Sequence, residues 1–165
     1  MSGDQERQID WDATGDRSLH GTPVAVFAAL ALSLAGAVVA GYLTWIHYDL
    51  SMLSCTVGDC HAVQTSPYAT IGPVPIALLG LGLFLTIAAL AIVRWRFPVV
   101  SWPATFLAFL LAFSGVLYFA YLTYLEVAVI GAICQWCVLA AGLTVALFLV
   151  ETIAVAAELQ APAIE

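Results

Sequence analysis

The sequence predicts an all-α membrane protein: a four-transmembrane-helix bundle with a long outward-facing loop between helices 1 and 2. Three observations carry that expectation. Of the 165 residues, 63% are apolar and only 9% are charged, and the mean hydropathy of +1.02 lies far outside the range of ordinary soluble domains. The apolar residues gather into four stretches, each close to the roughly 20 residues of helix that a hydrocarbon core requires. Most connections between them are short, which makes one bundle and not two domains.

Taken in order, residues 1–22 read "MSGDQERQIDWDATGDRSLHGT", hold five of the eleven acids and two of the four arginines, and show no apolar period. They are expected to form a mobile acidic cytoplasmic tail. A cleavable leader would place a basic region before a short apolar one, whereas here an acidic tail precedes a full-length span, so the first apolar segment is expected to be retained. The spans are predicted at about 24–46, 74–93, 100–124 and 133–156. The membrane domain is thus set at 23–157, with a cytoplasmic tail at 158–165.

Charge sets the expected orientation. Arg94 and Arg96 occupy the connection between spans two and three, Arg7 and Arg17 precede span one, and the other connections contain no arginine. Positive residues stay inside, so both termini and the 94–99 turn are predicted to be cytoplasmic in a cell (plasma or inner) membrane. The 47–73 loop and the 126–132 turn then face outward. Glu151 falls near the inner end of span four, where it is expected to reach the interface. Tyr42, Trp45, Tyr48, Tyr121, Tyr124 and Trp136 would anchor the outer boundary, Trp95 and Trp102 the inner one. Gly36, Gly41, Gly80, Gly82, Gly115 and Gly142 are expected to let helices approach closely. With four basic residues against eleven acidic ones, no basic surface exists for nucleic acid or for an anionic lipid headgroup layer.

All four cysteines fall on the predicted outer side, where disulfides form. Cys134 and Cys137 make a C-x-x-C at the first turn of span four. There the unpaired amides and the positive end of the helix dipole lower a thiol's pKa, so the pair is poised for exchange. Cys55 and Cys60 enclose "TVGD", a ring too small to stabilise much by loop entropy. They read as an exchangeable pair on a mobile arm. Two alternatives stay open: a static disulfide tying the loop to span four, and a tetrathiolate zinc site, whose spacing is acceptable but which an oxidising, lipid-adjacent setting disfavours. His61 could stabilise a thiolate, although a lone loop histidine is more often simply solvated. Four cysteines allow three pairings.

The loop pair followed by "CQWC" opening the last helix, together with "DCHAVQTSPYATIGPVPIALLG", resembles the vitamin K epoxide reductase family, especially bacterial members, over residues 24–157. Asp59, Cys60, Val63, Ser66 and the "GPVP" segment carry the resemblance beside the C-x-x-C. The DsbB type also couples two outward cysteine pairs to a quinone, but in the reverse order.

The resemblance implies a relay from thiol to quinone. Cys55 would exchange with a separate thioredoxin-fold thiol oxidase, Cys60 would pass electrons to Cys134, and Cys137 would lie against a membrane quinone, menaquinone or ubiquinone, with no metal involved. Each step is thiolate attack on a disulfide. The resemblance gives Ser66 a supporting role, although a serine before proline also starts turns, and Asp59 would shape the loop around Cys60. Spans two and three are expected to wall the quinone pocket. Many bacterial members continue into a fused thioredoxin-like domain, whereas this sequence stops at Glu165, so the partner is expected to be a separate protein. Animal members carry a tyrosine four residues past the second C-x-x-C cysteine, where this chain has Ala141, a departure that counts against animal-type epoxide reduction. The alternatives are a vitamin K quinone or epoxide reductase using the same cysteines, and a non-catalytic membrane subunit braced by disulfides.

Overall fold

The computed structural model describes residues 23–160; the tail expected at 1–22 and the last five residues of the one expected at 158–165 lie outside the described residues. Four long helices run Pro23–Tyr48 (α1), Ile76–Arg96 (α3), Ser101–Tyr124 (α4) and Gln135–Gln160 (α5), with a short helix α2 at Cys60–Gln64 in the loop between α1 and α3. Each long helix is long and apolar enough to cross a membrane, as befits a multi-pass membrane protein. Segments this apolar must satisfy every backbone N–H and C=O internally, and in lipid the helix is the one open-chain solution. The final helix runs to Gln160, a turn past its expected end.

Prolines and glycines set the boundaries. Pro98 opens a 3₁₀ turn leading into α4, and Pro103 falls in the first turn of that helix, where its missing N–H breaks no intrahelical bond. A two-residue hairpin pairs β1 (Thr70–Ile71) with β2 (Val74–Pro75) just before α3. Past Tyr124 the chain does not stop as predicted. It widens into a π turn over Leu125–Ile130, closed by Gly131 at φ +69° and by Ala132 N–H donating to the Glu126 carbonyl at 3.0 Å.

The four helices form a ring in which α1 packs on α3, α3 on α4, α4 on α5 and α5 on α1. Small residues line much of the seam: Ala29, Ala40, Ala91, Ala108 and Ala112 are buried around Phe84, Ile87 and Leu147. Between helices in lipid, where tails are as apolar as side chains, such close approach supplies the packing energy. Gly36 is the tightest point, since a Cβ there would collide with the Phe84 ring. Gly41, Gly82 and Gly142 instead face open space, which corrects the expectation that all six glycines serve packing. Outward faces carry exposed Leu34, Val38, Leu85, Leu110 and Leu149.

The end of the bundle opposite the cysteines departs from the expected interface. Glu151 is fully buried, and its carboxylate is held in a two-bond fork by Arg94, at 2.6 and 3.0 Å. Arg94 lies within α3, not in a turn, and is itself buried. The two charges meet inside the bundle because each alone would be costly in a dry seam, and pairing offsets much of that cost. Further along α5, Glu158 accepts hydrogen bonds from Ser101 and Thr105 of α4, both at 2.9 Å.

Candidate redox site

The cysteine end is built around the N-terminus of α5. The loop expected as a mobile arm is tied to it at several points. Gly58, at φ +83°, forms a bridge with Cys134, and the Asp59 N–H donates to the Ile133 carbonyl at 3.0 Å. A Cβ at residue 58 would run into that same carbonyl oxygen, so only glycine permits both the left-handed backbone and the approach. Gln135 Oε1 accepts from Thr56 N–H, Thr56 Oγ1 and Val57 N–H at 2.9–3.2 Å. Trp136 Nε1 donates to the Ser54 carbonyl at 2.8 Å, and the Ser54 N–H donates to the Tyr42 hydroxyl at 3.1 Å. Tyr42 and Trp136, whose rings lie 4.9 Å apart, therefore brace the loop as well as marking the boundary.

This docking brings the two cysteine pairs together. Cys55 and Cys60 form a disulfide with their Cα atoms 6.1 Å apart. Cys134 and Cys137 are free thiols. The loop pair is thus joined to itself and not cross-linked to span four in this structure. Cys60 and Cys134 are both fully buried and belong to one cluster with Val39, Leu43, Val63 and Ala140, against which Cys55 and Cys137 also pack.

Asp59 is exposed, and its carboxylate accepts from the Ala62 N–H at 2.9 Å, capping α2. That cap orients the helix whose first residue is Cys60. Ser66 donates its hydroxyl to the Val63 carbonyl at 2.8 Å and lines a cavity. His61 is exposed.

Inward of the C-x-x-C, a cavity of about 320 Å³ opens between α1, α3, α4 and the start of α5. Its walls are mostly apolar, from residues such as Leu43, Leu83, Phe119 and Leu122, and its polar groups include Ser66, Tyr68, Tyr118, Glu126 and Cys137. That combination, an apolar cleft with sparse and convergent polar groups, suits a flat organic ligand. Ala140, not Ala141, is the alanine of α5 that faces it.

Glu126 is a residue that sequence reasoning missed. It is buried, accepts the Cys134 N–H at 3.0 Å through Oε2, and lies within hydrogen-bonding reach of the Cys137 thiol. The π turn places it there instead of on the predicted outward connection. A signal existed, since Glu126 is the lone acid between Asp59 and Glu151.

The Cys134 thiol, just outside the span, is held below its ordinary value, at about 7. A hydrogen bond from the Cys137 side chain is the main cause, helped by the backbone amides of Cys137 and Trp136; burial and the Glu126 charge oppose it. This is the behaviour expected of the first cysteine of a C-x-x-C at a helix N-terminus.

No curated protein matches the chain. Compared with known protein families, residues 27–152 match the vitamin K epoxide reductase family. The match runs from within α1 to within α5 and takes in the docked loop and both cysteine pairs, so the chain belongs to the vitamin K epoxide reductase family.

Proposed function

We propose that the protein is a membrane thiol:quinone oxidoreductase that reoxidises a separate thioredoxin-fold partner and passes the electrons to a membrane quinone, supporting disulfide formation. The family works between thiols and quinones through a cysteine pair, which supports oxidoreductase chemistry here. One observation carries the fuller reading: both cysteine pairs pack in one cluster, and Cys137 of that cluster also lines the apolar cavity. In this reading the cysteine end faces outward and the arginine end inward.

Electrons then move by thiol–disulfide exchange. A partner thiolate attacks the partly exposed Cys55, freeing Cys60. The partner's second thiol releases Cys55 and leaves the partner oxidised, while the Cys60 thiolate attacks Cys134 of the oxidised C-x-x-C and frees Cys137. The Cys55 thiolate then attacks Cys60 of the Cys60–Cys134 bond, so the loop disulfide re-forms as Cys134 is released. Both C-x-x-C thiols are now reduced beside an oxidised loop, which is the pattern of the present structure. The quinone, menaquinone or ubiquinone, supplies a sink for two electrons and two protons. The cavity's apolar walls would hold its ring, Tyr68 and Tyr118 offer hydroxyl donors, and Cys137 is the sulfur that faces it. Asp59 and Ser66 support the loop and cavity wall; neither is needed as a reacting group.

Replacing Cys137 by serine tests this. Quinone reduction by the pre-reduced protein should be lost while the bundle stays folded. Where the loop disulfide is left intact, the Cys134 thiolate should attack Cys60 and accumulate as a Cys60–Cys134 disulfide, with Cys55 released as the thiol. Unchanged turnover would refute the relay.

A further inference from the structure

The relay leaves a proton unassigned, and the structure holds one group placed to handle it. We propose that Glu126 is a catalytic base, taking the proton of the Cys137 thiol as that sulfur reacts and delivering it to the reduced quinone. The inference rests on the function proposed above and adds to it a residue outside the four cysteines.

Four observations point to Glu126. Its carboxylate is buried in a chain whose only described arginines, Arg94 and Arg96, lie at the opposite end of the bundle. A buried acid with no cation partner is costly and marks a functional position. Its side chain reaches the Cys137 thiol and lines the same cavity. An ionised carboxylate only accepts hydrogen bonds, so with Oε2 receiving the Cys134 N–H, further acceptor capacity remains for the thiol. Finally, it is a π turn that aims the side chain inward, and such distortions of a helix gather at functional sites.

The groups facing Glu126 are few. From the α5 mouth come Cys134 and Cys137; from α4, Tyr118; from the loop, Tyr68; and from α2, Cys60 in its disulfide with the exposed His61 beyond it. The Cys134 N–H donates to the carboxylate, and the Cys137 side chain lies close enough to interact with it; of the two groups, the Cys137 thiol is the one whose proton can be transferred.

The step balances. A Cys134 thiolate and a Cys137 thiol give up two electrons, and an S–S bond forms between them. The quinone takes both electrons. Its two oxygens gain one proton from Cys137 by way of Glu126 and one from solvent, the equivalent of the proton Cys134 released on ionising.

A simpler role would be structural, with Glu126 merely capping the Cys134 amide at a positive helix end. Glu126→Gln separates the two, because the amide oxygen can still accept that N–H but cannot take up a proton. The test uses full-length protein in nanodiscs, reduced beforehand, mixed with a water-soluble naphthoquinone and followed through one turnover from mildly acidic to mildly alkaline pH. E126Q should slow quinone reduction about a hundredfold at neutral pH, the scale of acid–base catalysis. The deficit should narrow as pH rises and hydroxide ionises Cys137, and Glu126→Asp should restore part of the rate. Exchange between the loop pair and Cys134 should be no slower than wild type, because losing the Glu126 charge does not disfavour the Cys134 thiolate. Equal rates and pH profiles in E126Q and wild type would overturn the proposal, as would equal slowing of both half-reactions.

Alkylation of Cys137 by N-ethylmaleimide without quinone, read by peptide mass spectrometry, provides an independent arm. Slower labelling in both E126Q and E126D than in wild type supports the base, and unchanged labelling in both removes it. Should reduced wild-type protein fail to reduce any quinone, the parent function falls, and the labelling still decides the role of Glu126.

Discussion

Replacing Gly58 by alanine should break the contact between the two cysteine pairs while leaving the bundle intact. The residue sits at φ +83°, and a Cβ there would meet the Ile133 carbonyl oxygen. An L side chain in left-handed backbone costs about 1–2 kcal/mol. Relieving the collision moves Asp59 away from Ile133 and loses their 3.0 Å hydrogen bond, about 1 kcal/mol more. Together, about 2–3 kcal/mol off the docked state lowers the docking equilibrium constant about 30- to 160-fold, at 1.36 kcal/mol per decade. The assay uses a background carrying Cys55→Ala and Cys137→Ala, which leaves Cys60 and Cys134 as the only thiols, and follows the rate at which they cross-link on oxidation. Gly72→Ala is the control, because its φ of +62° carries a similar backbone cost but nothing lies within 4 Å of its added Cβ. A wild-type cross-linking rate in the Gly58 variant, or an equal loss in both, would refute docking through Gly58.

Three further outcomes follow from the same geometry. Because Cys134 titrates at about 7 and an unperturbed thiol near about 8.5, the thiolate of the reduced protein should show in ultraviolet absorbance with a midpoint near 7 and vanish in Cys134→Ser. Ionisation then stabilises the reduced fold fully above the unfolded value and loses that contribution as pH falls through 7, so the reduced protein's melting temperature should fall across that window relative to Cys134→Ser. Arg94→Met or Glu151→Leu alone should cost about 3–5 kcal/mol in unfolding experiments, because each strands a buried charge, whereas the double variant should recover most of it; additive losses would contradict the pairing. Asp59→Ala should cost the α2 cap about 1 kcal/mol and slow transfer from Cys60 to Cys134 by no more than about tenfold, with Asp59→Asn near wild type; a much larger loss in Asp59→Asn would give the carboxylate a chemical role.

The four spans were legible because the bilayer imposes one length and one backbone solution on each. The cysteines were legible because a C-x-x-C at a helix mouth carries its own chemistry. What escaped was decided by partners distant in sequence. Arg94 and Glu151 look like interface residues one at a time, and only their side chains meeting inside the bundle, from α3 and α5, show that they neutralise each other. Gln135 is unremarkable inside "CQWC" until the loop folds back and three donors converge on its oxygen. Glu126 was hidden differently: a regular helix end after Tyr124 would have left it in a solvated connection, and the π turn instead turns it into the bundle. Its isolation in a run of apolar residues was a readable sign, since a lone acid there needs a reason to stay.

The central claim is that electrons leave the loop pair, cross the C-x-x-C and reach a quinone in the cavity. Disulfide mapping by mass spectrometry on fully reduced protein, before and after one equivalent of quinone, tests it most directly. The account predicts that quinone is consumed as a Cys134–Cys137 disulfide appears, that exchange then carries oxidation to Cys55–Cys60, and that Cys137→Ser abolishes both events. Oxidation of Cys55–Cys60 by quinone in the Cys137→Ser protein, or no disulfide formed in wild type, would contradict it.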